Sequence, residues 1–242
     1  MNRQPSTAPA RRRVTKHPDV RREELLDIAL ELCRSHGFES MNVEQVTKAA
    51  GVAKGTFYHY FASKDALLEQ LVQRFGDALF DHLSGAGTDG TGAERLRSIM
   101  DAAAGYKLAQ ADITYASFLY RPENLALRHR LFGAWRARAR EVLQPVIRDG
   151  DADGSFAVAD VDGATELVLL LWFDAADRLW ERALAVPDAE RFTEVMLGGA
   201  ASIYQAQERI LGLPEGTFSV PVGPELIAVT RQLFHTIDRT QS

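Results

Sequence analysis

NVEQVTKAAGVAKGTFYHYFASKDALL, residues 42–68, decides the reading of this chain. Asn42 stands three residues before Gln45, the spacing of a capping box, and so predicts the start of a short helix. That helix carries Val43, Val46, Ala49 and Ala50 inward and stops at Gly51. A further helix is predicted from Ala53 to Phe61, and Ser63 caps the next, with Asp65 in its first turn where the helix dipole favours a negative charge. In the middle helix Phe57, Tyr60 and Phe61 share the inward face at i, i+3, i+4. Lys54, Gly55, Thr56, Tyr58 and His59 are left on or beside the other face, a basic, hydroxyl-rich and aromatic surface that a core does not need. This is the layout of a helix-turn-helix that reads the DNA major groove. A short helical hairpin whose polar face is merely wet is the plainer alternative.

The chemistry of that surface suits DNA. Lys54 reaches a base edge or a phosphate, Thr56 a thymine methyl or a base acceptor, and His59 a base or phosphate oxygen. Gly55 lets backbone come close, and Tyr58 can donate its hydroxyl to a phosphate. Lys64 adds a cation beside the unpaired backbone N–H groups that open the next helix, which suits a phosphate.

The charge distribution points the same way. The net charge of −5 divides into +4 over residues 1–64 and −9 over the remainder. A basic head on an acidic body confines phosphate attraction to the head. The first 17 residues hold Arg3, Arg11, Arg12, Arg13 and Lys16 with no acid, in a Pro-, Ser- and Ala-rich context without apolar periodicity. Residues 1–18 are therefore expected to be a disordered basic arm. Arg11, Arg12 and Arg13 either enter an adjacent minor groove or belong to a solvated tail.

Working outward, Leu25, Ile28, Ala29, Leu32 and Cys33 fall at helical spacing from Val20 to His36, with Gly37 as the stop. The helix after Ser63 runs through Leu67, Leu68, Leu71, Val72, Phe75 and Leu79 to Leu83. Beyond the flexible SGAGTDGTG of 84–92, helical patterns recur at 93–110, 112–120, 123–148, 160–185 and 188–211. Breaks are expected at Pro122, at the acidic loop 149–155 and at Pro187. A Pro- and Gly-rich stretch, 213–224, precedes a last helix from Leu226 to Ile237. Alternating β-branched runs are nearly absent, so the fold class is all-α. The expected organisation is a basic arm (1–18), a helix-turn-helix domain (19–66), a helical ligand-binding and dimerisation domain (67–212) and a tail with a terminal helix (213–242).

The helix ending in HGFES, followed by MNVEQVTKAAGVAKGTFYHYFASKDALL, is similar to the DNA-binding domain of the tetracycline-repressor (TetR/AcrR) family across residues 21–70. The resemblance implies an all-helical homodimer with an N-terminal three-helix reader and a C-terminal ligand and dimer domain. It also implies that Asn42 and Thr47 lie on the phosphate side of the first reader helix, that Lys54, Gly55, Thr56, Tyr58 and His59 form the recognition set, and that Lys64 clamps a phosphate. One position departs from the family. Ala53 stands where a small hydroxyl residue usually caps the recognition helix, and losing such a cap costs about 1 kcal/mol.

The rest of the chain names no ligand. Tyr106, Tyr115, Phe118, Phe132, Trp135, Trp172 and Phe173 line an apolar effector pocket or simply pack the core. His129 and Asp174 are its polar anchors in the first case. Arg128, Arg130, Arg136, Arg138 and Arg140 read as the solvated basic face of one helix. TELVLLLWFDAADRLW is apolar around most of its girth and must be buried on two sides. Together with the small residues Gly198 to Ser202, it supplies a candidate dimer interface through Leu170, Val195, Gly199 and Ile203, or else ordinary core.

Other classes find little support. There is no HExxH, GxSxG or P-loop, the six histidines lack metal-ligand spacing, and the lone Cys33 has no evident base. Neither catalysis, nor a metal, nor a cofactor is expected. No apolar segment follows the N-terminal basic residues, and the most apolar run, 167–173, is far short of the about 18 residues a membrane span needs. The expected chain is a cytoplasmic, nucleoid-associated regulator. It would bind double-stranded DNA at a near-palindromic operator as a homodimer and leave it when a small apolar or aromatic effector binds. The competing readings are an activator or constitutive binder without an effector, and a helical ligand carrier or enzyme with a vestigial head.

Overall fold

The computed structural model describes residues 17–37, 40–109, 115–219 and 222–238. These form helices with no strand among them. The first four are α1 (Pro18–His36), α2 (Val43–Ala50), α3 (Lys54–Tyr60) and α4 (Lys64–Ser84). The body follows with α5 (Gly92–Ala109), α6 (Tyr115–Leu119), a 3-10 turn over Pro122–Asn124 and the long α7 (Leu125–Asp153). Then come α8 (Val161–Leu170), a π turn over Leu171–Ala175, α9 (Ala176–Leu184), α10 (Ala189–Leu211) and α11 (Pro224–Asp238).

Two hydrophobic cores organise them. The first gathers Leu25, Leu26, Ala29 and Cys33 of α1, Val46 of α2, Phe57 and Phe61 around α3, and Leu67, Leu68, Leu71 and Val72 of α4. It also takes in Phe118 and Leu119 of α6 and Leu131 of α7, so the head is closed from below by the body. The second core joins the far half of α4 to α5, α7, α8 and the end of α10, around Leu96, Leu143, Ile147, Val168 and Leu211. Trp135 packs against both. It does so through a notch in α4, because a Cβ on Gly76 would lie 2.0 Å from the Trp135 indole nitrogen.

The structure corrects three expectations. The acidic stretch 149–155 is not a loop: α7 runs on to Asp153 and stops at Gly154, with φ of 79°. Its acids are used, Asp149 pairing with Arg95 at 2.6 Å and Asp153 accepting the Gly92 N–H at 2.8 Å at the start of α5. Next, 160–185 is not one regular helix. The π turn at 171–175 inserts an extra residue into the helical phase, and Trp172 there donates to Gln207 at 2.7 Å. Finally, the α7 arginines are a solvated face only in part: Arg130 is exposed, Arg128 is buried, and the carboxylates of neighbouring helices pair with all five. Arg130 and Arg138 reach back to α4, to Glu69 and to Asp77 and Asp81. Arg136 and Arg140 reach the other way, to Asp174 and Glu166. Arg128 is only 4% exposed. Carboxylates on both sides neutralise the helix. Smaller differences are that Ala49 is exposed rather than inward and that the last helix is longer, Pro224–Asp238.

Candidate nucleic-acid interface

Local rules place the reader. The Asn42 side chain accepts the Gln45 N–H at 2.9 Å while Gln45 Oε1 accepts the Asn42 N–H at 2.8 Å, a complete capping box. Gly51 ends α2 in the left-handed region at φ 63°, where a Cβ is disfavoured. The Ser63 hydroxyl accepts the Ala66 N–H at 3.0 Å and starts α4. Between these, α3 begins at Ala53 with no side-chain cap, as the departure at that position implies.

Two buried rings set the orientation of α3. Phe57 and Phe61 sit in the head core with centroids 5.5 Å apart, and Tyr60 packs partly against them. Lys54, Gly55, Tyr58 and His59 are thereby turned outward together, with Thr56 half-buried at the edge. Tyr58 is 48% exposed, although burying an aromatic side chain is favourable. Gly55 is equally telling. It lies in helical backbone, and a Cβ there would meet nothing within 4 Å. The fold does not require a glycine at this point, and glycine weakens a helix. What it leaves is bare backbone on the outer face.

The remaining expected contacts fall differently. Asn42 is exposed but occupied as the cap of α2. Thr47 is 6% exposed, and its hydroxyl donates to the Glu44 carbonyl at 3.1 Å. The head fold thus already uses it. Lys64 is half-buried, and burial lowers its pKa against the opposing influences of Asp65 and Cys33. Cys33 beneath it is buried, which pushes the thiol up to about 12. Arg11, Arg12 and Arg13 lie outside the described residues.

The expected pocket aromatics divide between the two cores. Phe118 is fully buried in the head core, with Tyr115 and Phe132 against it. Tyr106, Trp172 and Phe173 pack on the second core, and Trp135 spans the two. Tyr115 meets Phe75 at 4.5 Å, and Phe132 approaches Trp135 and Phe173 at 5.6 and 6.1 Å. The expected interface residues come together better. Val195, Gly199 and Ile203 line a groove of about 530 Å³ between α9 and α10, with Leu171, Ala175 and Leu179. Leu167 and Leu170 of α8 are 50% and 38% exposed. Gly199, however, serves this chain's own packing, because a Cβ there would meet Leu179 Cδ1 at 2.2 Å. Gly198 faces open space.

No described helix is long and apolar enough to cross a membrane. Among the described residues no three His, Cys, Asp or Glu side chains are grouped to hold a metal.

Sequence signals missed the role of Arg128. Nothing local marks it apart from its neighbouring arginines, since its carboxylate partners lie on α9.

Comparison with known proteins matches the geometry. Residues 25–71 match the family model described as bacterial regulatory proteins, tetR family. The chain is 29% identical over 147 residues to the HTH-type transcriptional repressor KstR2 of Rhodococcus jostii (strain RHA1), covering 59% of this chain and 70% of that protein. Over 76 residues it is 38% identical to the HTH-type transcriptional repressor NemR of Escherichia coli (strain K12), covering 31% of this chain and 38% of NemR. Among solved structures, a transcriptional regulator from Cytophaga hutchinsonii superposes with a TM-score of 0.61 at 13% identity, over 78% of this chain and 97% of its own. That last likeness concerns the fold.

Proposed function

We propose, from the match of residues 25–71 to the tetR family model, that this chain is a DNA-binding transcriptional regulator of that family and a homodimeric repressor whose two α3 helices read successive major grooves of a near-palindromic operator. The observation that carries the DNA-reading part is the outer face of α3. Lys54, Gly55, Tyr58 and His59 are displayed together there at the expense of an exposed tyrosine ring and a weakened helix. The repressor sign is supported by the regulators it resembles, two of which are named repressors. Dimerisation is supported by the α9–α10 groove, whose apolar floor is bordered by Arg182, Arg191 and Glu194, and by Leu167 and Leu170, which α8 leaves exposed. Release by a small apolar or aromatic effector completes the reading; the aromatic pairs Phe75–Tyr115 and Phe132–Phe173 are packed in ring contact and would have to part to admit a ligand between them. An effector acts only if it binds the released state more tightly than the DNA-bound one.

Selection of bound sequences from random DNA, followed by footprinting, tests this. The expected result is an enriched palindrome, protected by the unaltered chain and unprotected by Lys54→Ala with Tyr58→Ala, with the dimer intact in both. Protection that survives in the double variant overturns the assignment of α3 as reader.

A further inference from the structure

Arg128 opens α7 at the point where three parts of the molecule meet. It is the one buried arginine or lysine among the described residues. Its Nε lies 3.2 Å from Asp177 Oδ1, and its terminal nitrogen lies 2.8 Å from Glu181 Oε1, both on α9. The guanidinium sits 4.3 Å over the ring of Tyr120, which in turn stacks on Trp180 of α9 at 5.8 Å. On its own side of the joint, Tyr120, whose ring Arg128 covers, and Leu127, its neighbour in the chain, both pack against the head core. The cluster therefore ties the floor of the reader to α9.

Helix α9 is used on two faces. Asp177, Trp180 and Glu181 turn inward to Arg128 and Tyr120. Leu179 and Arg182, with Val186 just beyond, line the groove on the other side. A displacement at the groove is consequently a displacement of the carboxylates that hold Arg128. Separating the buried Arg128 from its carboxylates carries a desolvation penalty, which couples the start of α7 to α9.

The cluster is also incompletely satisfied. Tyr120 Oη, Arg128 Nε and Asp177 Oδ1 are all buried without a hydrogen bond of normal geometry. Burial and the adjacent Asp177 hold the Tyr120 hydroxyl well above the usual phenol range, so it remains a donor. Buried polar atoms of this kind are rare in folded proteins.

We propose that Arg128 is a positioning residue for operator reading: its buried pairing with Asp177 and Glu181 sets the angle of the head on α9 and so the spacing between the two heads of a dimer. The proposal rests on the homodimer reading above. It predicts that the cluster governs which half-site spacing is bound and leaves the affinity of one head for one half-site alone.

The test uses the full chain with Arg128→Met, Asp177→Asn and Glu181→Gln combined, which removes every buried charge of the cluster at once and leaves only the solvent-exposed Arg178 without its Glu181 partner. Fluorescence anisotropy would follow binding to the selected operator, to versions with the half-sites moved by one and two base pairs, and to a single half-site. The unaltered dimer should lose about tenfold in affinity when the spacing changes, as misplaced contacts do. The triple variant should keep its dimer mass and half-site affinity while its spacing preference falls to within about threefold. A folded, dimeric triple variant with undiminished spacing preference overturns the proposal. Should the triple variant fail to fold, Tyr120→Phe removes the hydroxyl beside Asp177 at nearly constant volume, and a spacing preference identical to that of the unaltered chain is then the refuting result. An unaltered chain that is monomeric, or indifferent to spacing, defeats the dimer reading itself and the proposal with it.

Discussion

Replacing Gly55 by alanine separates what the reader helix needs for stability from what it needs for DNA. The residue is helical, and a Cβ added to it meets no atom within 4 Å. Alanine is better than glycine in a helix interior by about 0.8–1.0 kcal/mol, through backbone entropy and shielding of the helix from water. Position 55 is in the first turn of a seven-residue helix, so the lower end of the measured Gly→Ala range, about 0.4 kcal/mol, is the better guide. For a chain of this size a gain of about 0.4–1 kcal/mol raises Tm by about 1–4 °C. Scanning calorimetry of the free protein should show that rise. Operator binding should move the opposite way, because the added methyl stands where backbone and DNA approach. A loss of about tenfold corresponds to about 1.4 kcal/mol and is within the range of one spoiled base contact. A raised Tm with unchanged operator affinity would show that the outer face of α3 is simply wet. A lowered Tm would show that the space around Gly55 is not open.

Two further substitutions probe the same head. Asn42→Asp keeps a side-chain acceptor for the Gln45 N–H and so should leave the melting temperature within about 1 °C, since Asp and Asn cap equally well. The added negative charge should nevertheless weaken operator binding several-fold at low salt, with the difference shrinking as salt rises; equal affinity at low salt would remove Asn42 from the phosphate side. Cys33 should resist thiol reagents at pH 8 in the native protein and react in denaturant, because it is buried and its thiol is pushed up to about 12. The native state therefore keeps a proton that the unfolded chain releases nearer 9.0, so this stabilisation is complete below about pH 9 and is lost between there and about pH 12. Ready labelling of the folded protein at pH 8 would show that α1 opens.

What could be read from the sequence followed the range of the interactions involved. The capping box at Asn42, the turn at Gly51, the cap at Ser63 and the uncapped start at Ala53 depend on partners within a few residues, and all appear as expected. The inward set Phe57 and Phe61 follows from helical spacing alone. The failures have distant partners. Asp149 and Asp153 resemble loop residues until Arg95 and the first turn of α5 take them up, 54 and 61 residues away. Arg128 looks like any surface arginine until Glu181 pairs with it from 53 residues away. The π turn at 171–175 has no local mark either, since TELVLLLWFDAADRLW has unbroken helical composition. The distribution of the body aromatics over two cores depends on the packing of α6 and α7, which no spacing rule states.

The way the head is closed from below bears on how such a reader can be transplanted. Cutting after residue 66 looks natural along the chain, yet Phe118, Leu119 and Leu131 are part of the same core as Leu25, Phe57 and Phe61. A head grafted onto a foreign body without them would expose that floor to water. A chimera that keeps the specificity of this protein therefore has to carry the α6–α7 segment along with the first four helices, or rebuild its apolar underside.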